Sequence, residues 1–211
     1  WFHVRFLLVE RKKMAKSEGN FYTLRDLLLR GYKASAIRML LISVPYRQQL
    51  NFTFEGLAAE TVAVERLRNF QARIAKTRWP ERSAGNGASS EVQDYAHETR
   101  AKFLAGLADD LNTAEARAAI FEMVRFVNAK ADAGAFFADD APVVLDVMRE
   151  FDRVFAVLED HDAEWTAFTL DWAERVGRLG EASPEVLATR GVTDAQIEAL
   201  IDERTQAKKR R

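Results

Sequence analysis

Phe6-Leu-Leu-Val-Glu-Arg-Lys-Lys-Met-Ala-Lys-Ser-Glu-Gly-Asn20 is an apolar run that passes directly into a cationic loop. The four residues Phe6 to Val9, bounded by polar neighbours, suit a short buried strand of the kind found in parallel sheets. The segment from Val9 to Asn20 then reads as a loop. It sets Lys13 and Lys16 three residues apart, follows them with the hydroxyl of Ser17, and ends in Gly19-Asn20. Lysines are compact charges on long stems, suited to following a phosphate group as it moves or gains charge. Gly19 permits a tight bend, and Ser17 can donate a hydrogen bond to a phosphate oxygen. Taken alone the loop decides little, because basic loops are common.

Away from this segment the pattern is almost all helix. Thr23-Leu-Arg-Asp26 predicts a capping box opening a short helix that Gly31 ends. A second short helix follows over Ala34 to Ser43, and Pro45 bars its continuation. Leu57, Val64, Leu67, Phe70 and Ile74 repeat at three- and four-residue steps. They predict a long helix from Phe54 to Lys76, capped by Thr53 and stopped by Trp79-Pro80. Ser90-x-x-Gln93 predicts a capping box and a helix to Ala108. After the turn Asp109–Thr113, Thr113 is expected to cap a helix to Lys130 with the stripe Ile120, Met123, Val124 and Val127. Pro142 sits near the start of a helix through Leu158 whose apolar residues nearly encircle it, so deep burial is expected there. Trp165 and Trp172 are expected in a core, and Thr193-x-x-Gln196 opens a last helix that runs into Lys208-Lys-Arg-Arg211.

The 211 residues carry 31 Lys plus Arg against 32 Asp plus Glu, and no Cys. That length bounds one or two domains. The longest apolar run, Ile37 to Val44, contains Arg38 and Ser43, so no helix long enough to cross a membrane is expected. Zero Cys excludes disulfides, thiol catalysis and Cys-ligated metals within these residues. Near-neutrality hides an asymmetry: residues 1–51 hold ten basic and three acidic residues, the remainder 21 and 29. A basic head on an acidic body suits a polyanionic partner or a solvated face equally well. The first residue is Trp rather than Met and opens directly on the apolar run, so a fragment is expected.

Lys13-Met-Ala-Lys-Ser17 resembles the KMSKS signature of class I aminoacyl-tRNA synthetases. Its flanks narrow the resemblance. Trp1-Phe-His3, Phe6 to Val9, Gly19-Asn-Phe-Tyr-Thr-Leu-Arg-Asp26, Ala36-Ile-Arg38, Tyr46-Arg47, Leu50-Asn-Phe52 and Asp110-Leu-Asn-Thr113 are similar to the cysteinyl-tRNA synthetase family. The match covers residues 1 to about 130 by motif and the rest by helix pattern. Ala15 departs from it where Ser is usual, Arg11 where Gly or Glu is usual, and Glu18 where Leu is common.

The resemblance implies a mainly α chain: the last strand and signature loop of a class I, Rossmann-like nucleotide-binding fold, then a connecting helical segment, then an α-helical bundle. The corresponding domains are 1–22, 23–52 and 53–211, with a flexible loop over 80–90 and an end short of an anticodon-reading domain. It implies a loop that closes over ATP (with Mg2+), with Lys16 and Lys13 as catalytic cations, Ser17 as a donor and Met14 as a hydrophobic anchor. Arg25, Arg38 and Arg47 become candidate contacts to tRNA phosphate, against pairing with Asp26 or Glu55. The partners implied are tRNA(Cys), ATP and L-cysteine, for a cytoplasmic monomer. The zinc of such enzymes would have its ligands upstream of this chain, which alone should not activate cysteine.

Two rivals stay open beside this reading. One is a relative that joins cysteine to an amino sugar through the same adenylate, against which Leu50-Asn-Phe52 and Asp110-Leu-Asn-Thr113 count. The other is a non-catalytic tRNA-binding or interaction module. His97 and His161 have no second His nearby, so metal binding is not expected of them, and for His3, beside the strand, a structural or incidental role is favoured over contact with substrate. Asp109-Asp110 and Asp139-Asp140 look like paired carboxylates, but turn and cap roles explain them better.

Overall fold

Val9 and Phe52 are both almost fully buried, at 1% and 3% exposure, and a short sheet forms where they meet. Strand β1 (Leu8–Val9) turns back into β2 (Lys12–Lys13) as an antiparallel hairpin. On its other side β1 lies parallel to β3 (Asn51–Phe52), with Leu8 opposite Asn51 and Val9 opposite Phe52. The expected strand is present only over Leu8–Val9, in a sheet of order β2-β1-β3, and Phe6, expected within it, is exposed. The two neighbours of β1 were not expected, because two residues are too few to show an alternating pattern. The segment expected as a loop thus begins as a hairpin and continues into a single 3-10 turn over Lys16–Glu18.

The computed structural model describes residues 1, 3–83 and 90–191, and these divide into two compact units. Trp1–Phe21 and Ala34–His161 form the first; Tyr22–Lys33 and the described residues from 162 to 191 form the second. Most of the expected flexible loop (84–89), the helix expected from Thr193 and the basic run Lys208 to Arg211 lie outside the described residues.

Helix α1 (Leu24–Leu29) belongs to the second unit. In the first, α2 (Ala34–Leu41) leads through β3 to α3 (Phe54–Lys76), whose bounds match the sequence pattern. Thr53 caps α3 by accepting from the Gly56 amide at 2.9 Å. Helix α4 (Glu91–Ala108) starts at Ser90, which accepts from the amides of Val92 and Gln93. The reciprocal half of the expected capping box is absent, since the Gln93 side chain donates to the Asp139 carbonyl at 3.1 Å instead. Helix α5 (Thr113–Asp132) is capped by Asn112, one residue earlier than expected, and Asn112 accepts from the Glu115 amide. Asn is the stronger N-cap.

Helix α6 (Ala141–Phe155) is amphipathic rather than buried all round: Val144, Val147, Met148, Phe151 and Phe155 are buried, whereas Val154 is exposed. Ala156 ends it with φ 50°. The turn that follows is held from three sides. The Asp152 carboxylate accepts from the amides of Val157 and Leu158, both at 2.7 Å. The Arg68 guanidinium donates to the carbonyls of Val157 and Glu159. Arg38 donates to the carbonyls of Val154 and Phe155, which the helix end leaves without intrahelical partners.

The four long helices share one core. Leu67, Phe70 and Ile74 of α3 meet Ala96 and Phe103 of α4, Ile120, Met123 and Val127 of α5, and Met148, Phe151 and Phe155 of α6. Phe151 and Phe155 stack at 4.4 Å between centroids, and Phe103 closes on both.

The second unit packs Leu29 of α1 against Leu170 and Ala173 of α7 (Asp162–Arg175) and Val186 of α8 (Pro184–Ala188). The Thr23–Asp26 capping box is present in both directions, and Gly31 turns the chain after α1 with φ 92°. Asp26 also accepts from Arg178 at 2.9 Å. Trp165 is not a core residue: it and Phe168 are half exposed, in an edge-to-face pair. No described helix is long and apolar enough to cross a membrane.

Helix α5 comes close to α4 at Gly106. A Cβ added there would lie 2.9 Å from the Ala116 amide nitrogen and 3.2 Å from its Cα. Backbone cannot yield as a flexible side chain would. Gly106→Ala should therefore destabilise, with an overpacking cost of about 1–3 kcal/mol exceeding the roughly 1 kcal/mol that Ala gains in helix propensity. The check is a thermal melt; the variant should melt several degrees lower, and an unchanged or higher Tm would contradict the close approach.

Candidate functional site

The hairpin turn between β1 and β2 is made by Glu10 and Arg11, both left-handed, with φ 47° and 64°. Two such residues in succession suit the right-handed twist of a two-residue hairpin, but the conformation favours Asn and Gly over Glu and Arg. This explains why Gly would be comfortable at position 11. The turn is held by groups distant in sequence. The Arg11 amide donates to Asn51 Oδ1 at 2.7 Å, and the Glu10 amide to the Phe52 carbonyl at 2.9 Å. The Glu10 carboxylate in turn accepts from the Phe54 amide at 3.1 Å. Glu10 thereby satisfies an otherwise open donor at the N-terminus of α3.

Beyond β2 the loop is closed by Asn20. Its side chain accepts from the Ala15 amide at 2.9 Å and donates to the Lys13 carbonyl at 3.1 Å. Gly19, at φ 67°, lets the chain turn back towards these contacts. Met14 between the two pinned residues is half-buried. Lys13, Lys16 and Ser17 are exposed. The Lys13 ammonium lies 5.8 Å from the centre of the Phe6 ring, and that of Lys16 lies 5.5 Å from the centre of Phe21, a ring itself partly exposed. Both cations therefore rest on aromatic faces at the surface, a weak hold that a polyanion can displace. The four loop residues expected from the sequence come together on one short hairpin and turn. Asn20 and Asn51, which fix that turn, were not singled out as functional. Asn20 is adjacent in sequence, but the contact of Asn51 spans forty residues and leaves no local pattern.

The three candidate arginines have partners other than Asp26 and Glu55. In the first unit, Arg38 closes the end of α6 as described, and Arg47 pairs with Asp110. Asp110 also accepts from the Tyr46 hydroxyl at 2.7 Å. In the second unit, Arg25 lies over the Trp172 ring at 4.5 Å. Asp109 and Asp110 belong to the turn after α4, with Asp110 left-handed at φ 50°. Asp139 and Asp140 pair with Arg82, and Asp140 accepts from the Phe137 amide. Both acidic pairs have structural roles. His3 and His97 are exposed, and His161 faces Glu159 at 3.3 Å. Among the described residues no three His, Asp or Glu side chains gather so as to hold a metal ion. The described residues do not fit a zinc site, and no step is assigned to one.

Two family models match the chain. That for the class I (C) tRNA synthetase catalytic domain covers residues 1–62, which include the hairpin, the 3-10 turn and the start of α3. That for the DALR domain covers residues 102–159, from the end of α4 through α6 and the turn held by Arg68. The cysteine–tRNA ligase of Koribacter versatilis is 47% identical over 212 residues, covering 99% of this chain and 42% of that protein. That of Solibacter usitatus is 41% identical over 211 residues, covering 100% of this chain and 39% of its own length. The cysteine–tRNA ligase of Protochlamydia amoebophila is 35% identical over 185 residues, 88% of this chain and 37% of that protein. The chain thus spans about two fifths of the length of these relatives.

Tyr46 and Arg47 lie in the first matched segment and Asp110 in the second, so their cluster ties the two together. The Arg47 guanidinium, and after it the Tyr46 hydroxyl, hold the Asp110 carboxyl below the ordinary aspartate range. A depressed folded-state value means that the pairing stabilises the fold above the ordinary aspartate pKa. That contribution fades as pH falls through the depressed value. A carboxyl-detected NMR titration should place the Asp110 midpoint below that of a free Asp, and Arg47→Ala should raise it. A midpoint at the ordinary value in both proteins would contradict the cluster.

Proposed function

The chain belongs to the cysteine–tRNA ligase family, and we propose that it supplies that enzyme's ATP-phosphate loop and part of its tRNA-docking bundle. The overall reaction is activation of L-cysteine followed by its transfer to tRNA(Cys). A cysteine carboxylate oxygen attacks the α-phosphorus of ATP; the bond to the β-phosphate oxygen breaks, and pyrophosphate leaves with the electron pair. The aminoacyl adenylate then gives its acyl group to a hydroxyl at the tRNA 3′ end, releasing AMP.

The observation that carries this reading is the pinned hairpin that presents Lys13 and Lys16 three residues apart. Attack at phosphorus builds negative charge on the phosphoryl oxygens, and departure of pyrophosphate carries charge away. A cation already near that path lowers the barrier when it meets the charge more closely in the transition state than in the bound substrate. Lys16 takes this role, Lys13 is the second cation, Ser17 donates to a phosphate oxygen, and half-buried Met14 anchors the turn. Ala15 contributes no hydroxyl, and its amide is already given to Asn20.

The bundle and the arginines account for tRNA. Arg25 and Arg47 are exposed guanidinium groups that would meet phosphate without reading sequence. Arg38, exposed on α2, can add a contact only while keeping its bonds to the end of α6. In this reading the protein works as a cytoplasmic monomer with ATP (and Mg2+), L-cysteine and tRNA(Cys) as partners.

Lys16→Ala in the complete protein should slow ATP–pyrophosphate exchange by two or more orders of magnitude, about 3 kcal/mol of transition-state stabilisation. The KM for cysteine should change little. Exchange at close to the unsubstituted rate would remove Lys16 from the mechanism.

A further inference from the structure

The two lysines leave a backbone that their own side chains do nothing to fix. They are exposed, and each touches only an aromatic face among the contacts described above. What fixes the backbone is a pair of side-chain amides. Asn20 takes the Ala15 N–H and gives a hydrogen to the Lys13 carbonyl, so that one planar group spans the residues on either side of Met14. Asn51 takes the Arg11 N–H at the tip of a turn whose two residues are both left-handed. One amide thus holds the entry to the loop and the other its body.

We infer that Asn20 and Asn51 are positioning residues for adenylate formation, acting through the two lysines without touching substrate. This rests on the assignment of the lysines to ATP. The physical argument is preorganisation. A cation on a long stem stabilises a developing charge only if its root is already in place, since ordering a loose loop during the reaction would offset the gain. The amides also satisfy two backbone donors and one acceptor that an open loop would leave to water.

The two asparagines differ in what they use, so the same change to Asp should have opposite outcomes at the two positions. Asn51 serves the turn as an acceptor only, so Asn51→Asp keeps its bond to Arg11. Asn20 uses both its oxygen and its NH2 group, so Asn20→Asp loses the donor and sets a carboxylate beside the Lys13 carbonyl. In ATP–pyrophosphate exchange with the complete protein, Asn51→Asp should stay within about threefold of the unsubstituted kcat. Asn51→Leu and Asn20→Asp should fall roughly tenfold or more, and Asn20→Ala at least as far. The KM for cysteine and the melting temperature separate these effects from general damage, and both should move little.

The decisive arm is a double-mutant cycle. If Asn20 acts through the two lysines, adding Asn20→Ala to the Lys13→Ala/Lys16→Ala pair should cost less than about threefold further. An equal loss in both backgrounds would overturn the inference, as would unchanged exchange in Asn20→Ala while Lys16→Ala is slow. Unchanged exchange in Lys16→Ala would instead bring down the assignment of the lysines, and this inference with it.

Discussion

The parallel pairing of Leu8–Val9 with Asn51–Phe52 is the constraint on which the rest of the first unit depends. It joins segments more than forty residues apart through only two residue pairs, so its register must be held by burial. Val9 and Phe52 supply that by going into the core together. Slipping the register by one residue would put Val9 and Phe52 on opposite faces and swing Asn51 away from the Arg11 amide. It would also take the Glu10 carboxylate from the start of α3. The loop that carries Lys13 and Lys16 is therefore set by the same pairing that starts the longest helix of the bundle.

That arrangement works because costs and gains fall at different places. The left-handed pair Glu10–Arg11 costs roughly 1–2 kcal/mol for each residue, and the hydrogen bonds from Asn51, Phe52 and Phe54 offset it locally. Similar logic holds the turn after α6, where left-handed Ala156 is surrounded by bonds to Asp152, Arg38 and Arg68. Both places are backbone bends stabilised by side chains from elsewhere in the unit. Arg38 shows how far this goes, since a residue with the chemistry to meet phosphate is committed to closing a helix.

The helices were the most legible part of the sequence. The three- and four-residue steps of Leu57 to Ile74 and the cap at Thr53 gave both ends of α3, because periodicity and caps are local properties. Where two good caps stood side by side, at Asn112 and Thr113, sequence order alone could not choose. The apolar girdle of α6 suggested burial all round, but Val154 meets solvent because the neighbouring helices cover only one face. Trp165 misled for a similar reason: a large aromatic residue is usually covered, and here its surroundings leave half of it open.

The site divides along the same line. Lys13, Met14, Lys16 and Ser17 could be read because they are contiguous and carry charge or a hydroxyl. Asn51 could not, because its role follows from register, and register follows from packing across forty residues. The Tyr46–Arg47–Asp110 cluster was visible as two separate fragments of a family pattern whose contact only the fold supplies. Strands β2 and β3 escaped because hydrogen bonding, not composition, defines them at that length.

If, as proposed, the loop carrying Lys13 and Lys16 takes ATP phosphate and the helical bundle docks tRNA, the chain should bind polyanions through phosphate contacts. The direct measurement is a titration of the 211-residue chain with tRNA(Cys) and with an unrelated tRNA, each at low and at higher salt. Binding to both with similar affinity, weakening steeply as salt rises, is the predicted result, because phosphate contacts release counterions and carry no sequence information. Absence of binding even at low salt, or binding that salt does not weaken, would contradict it.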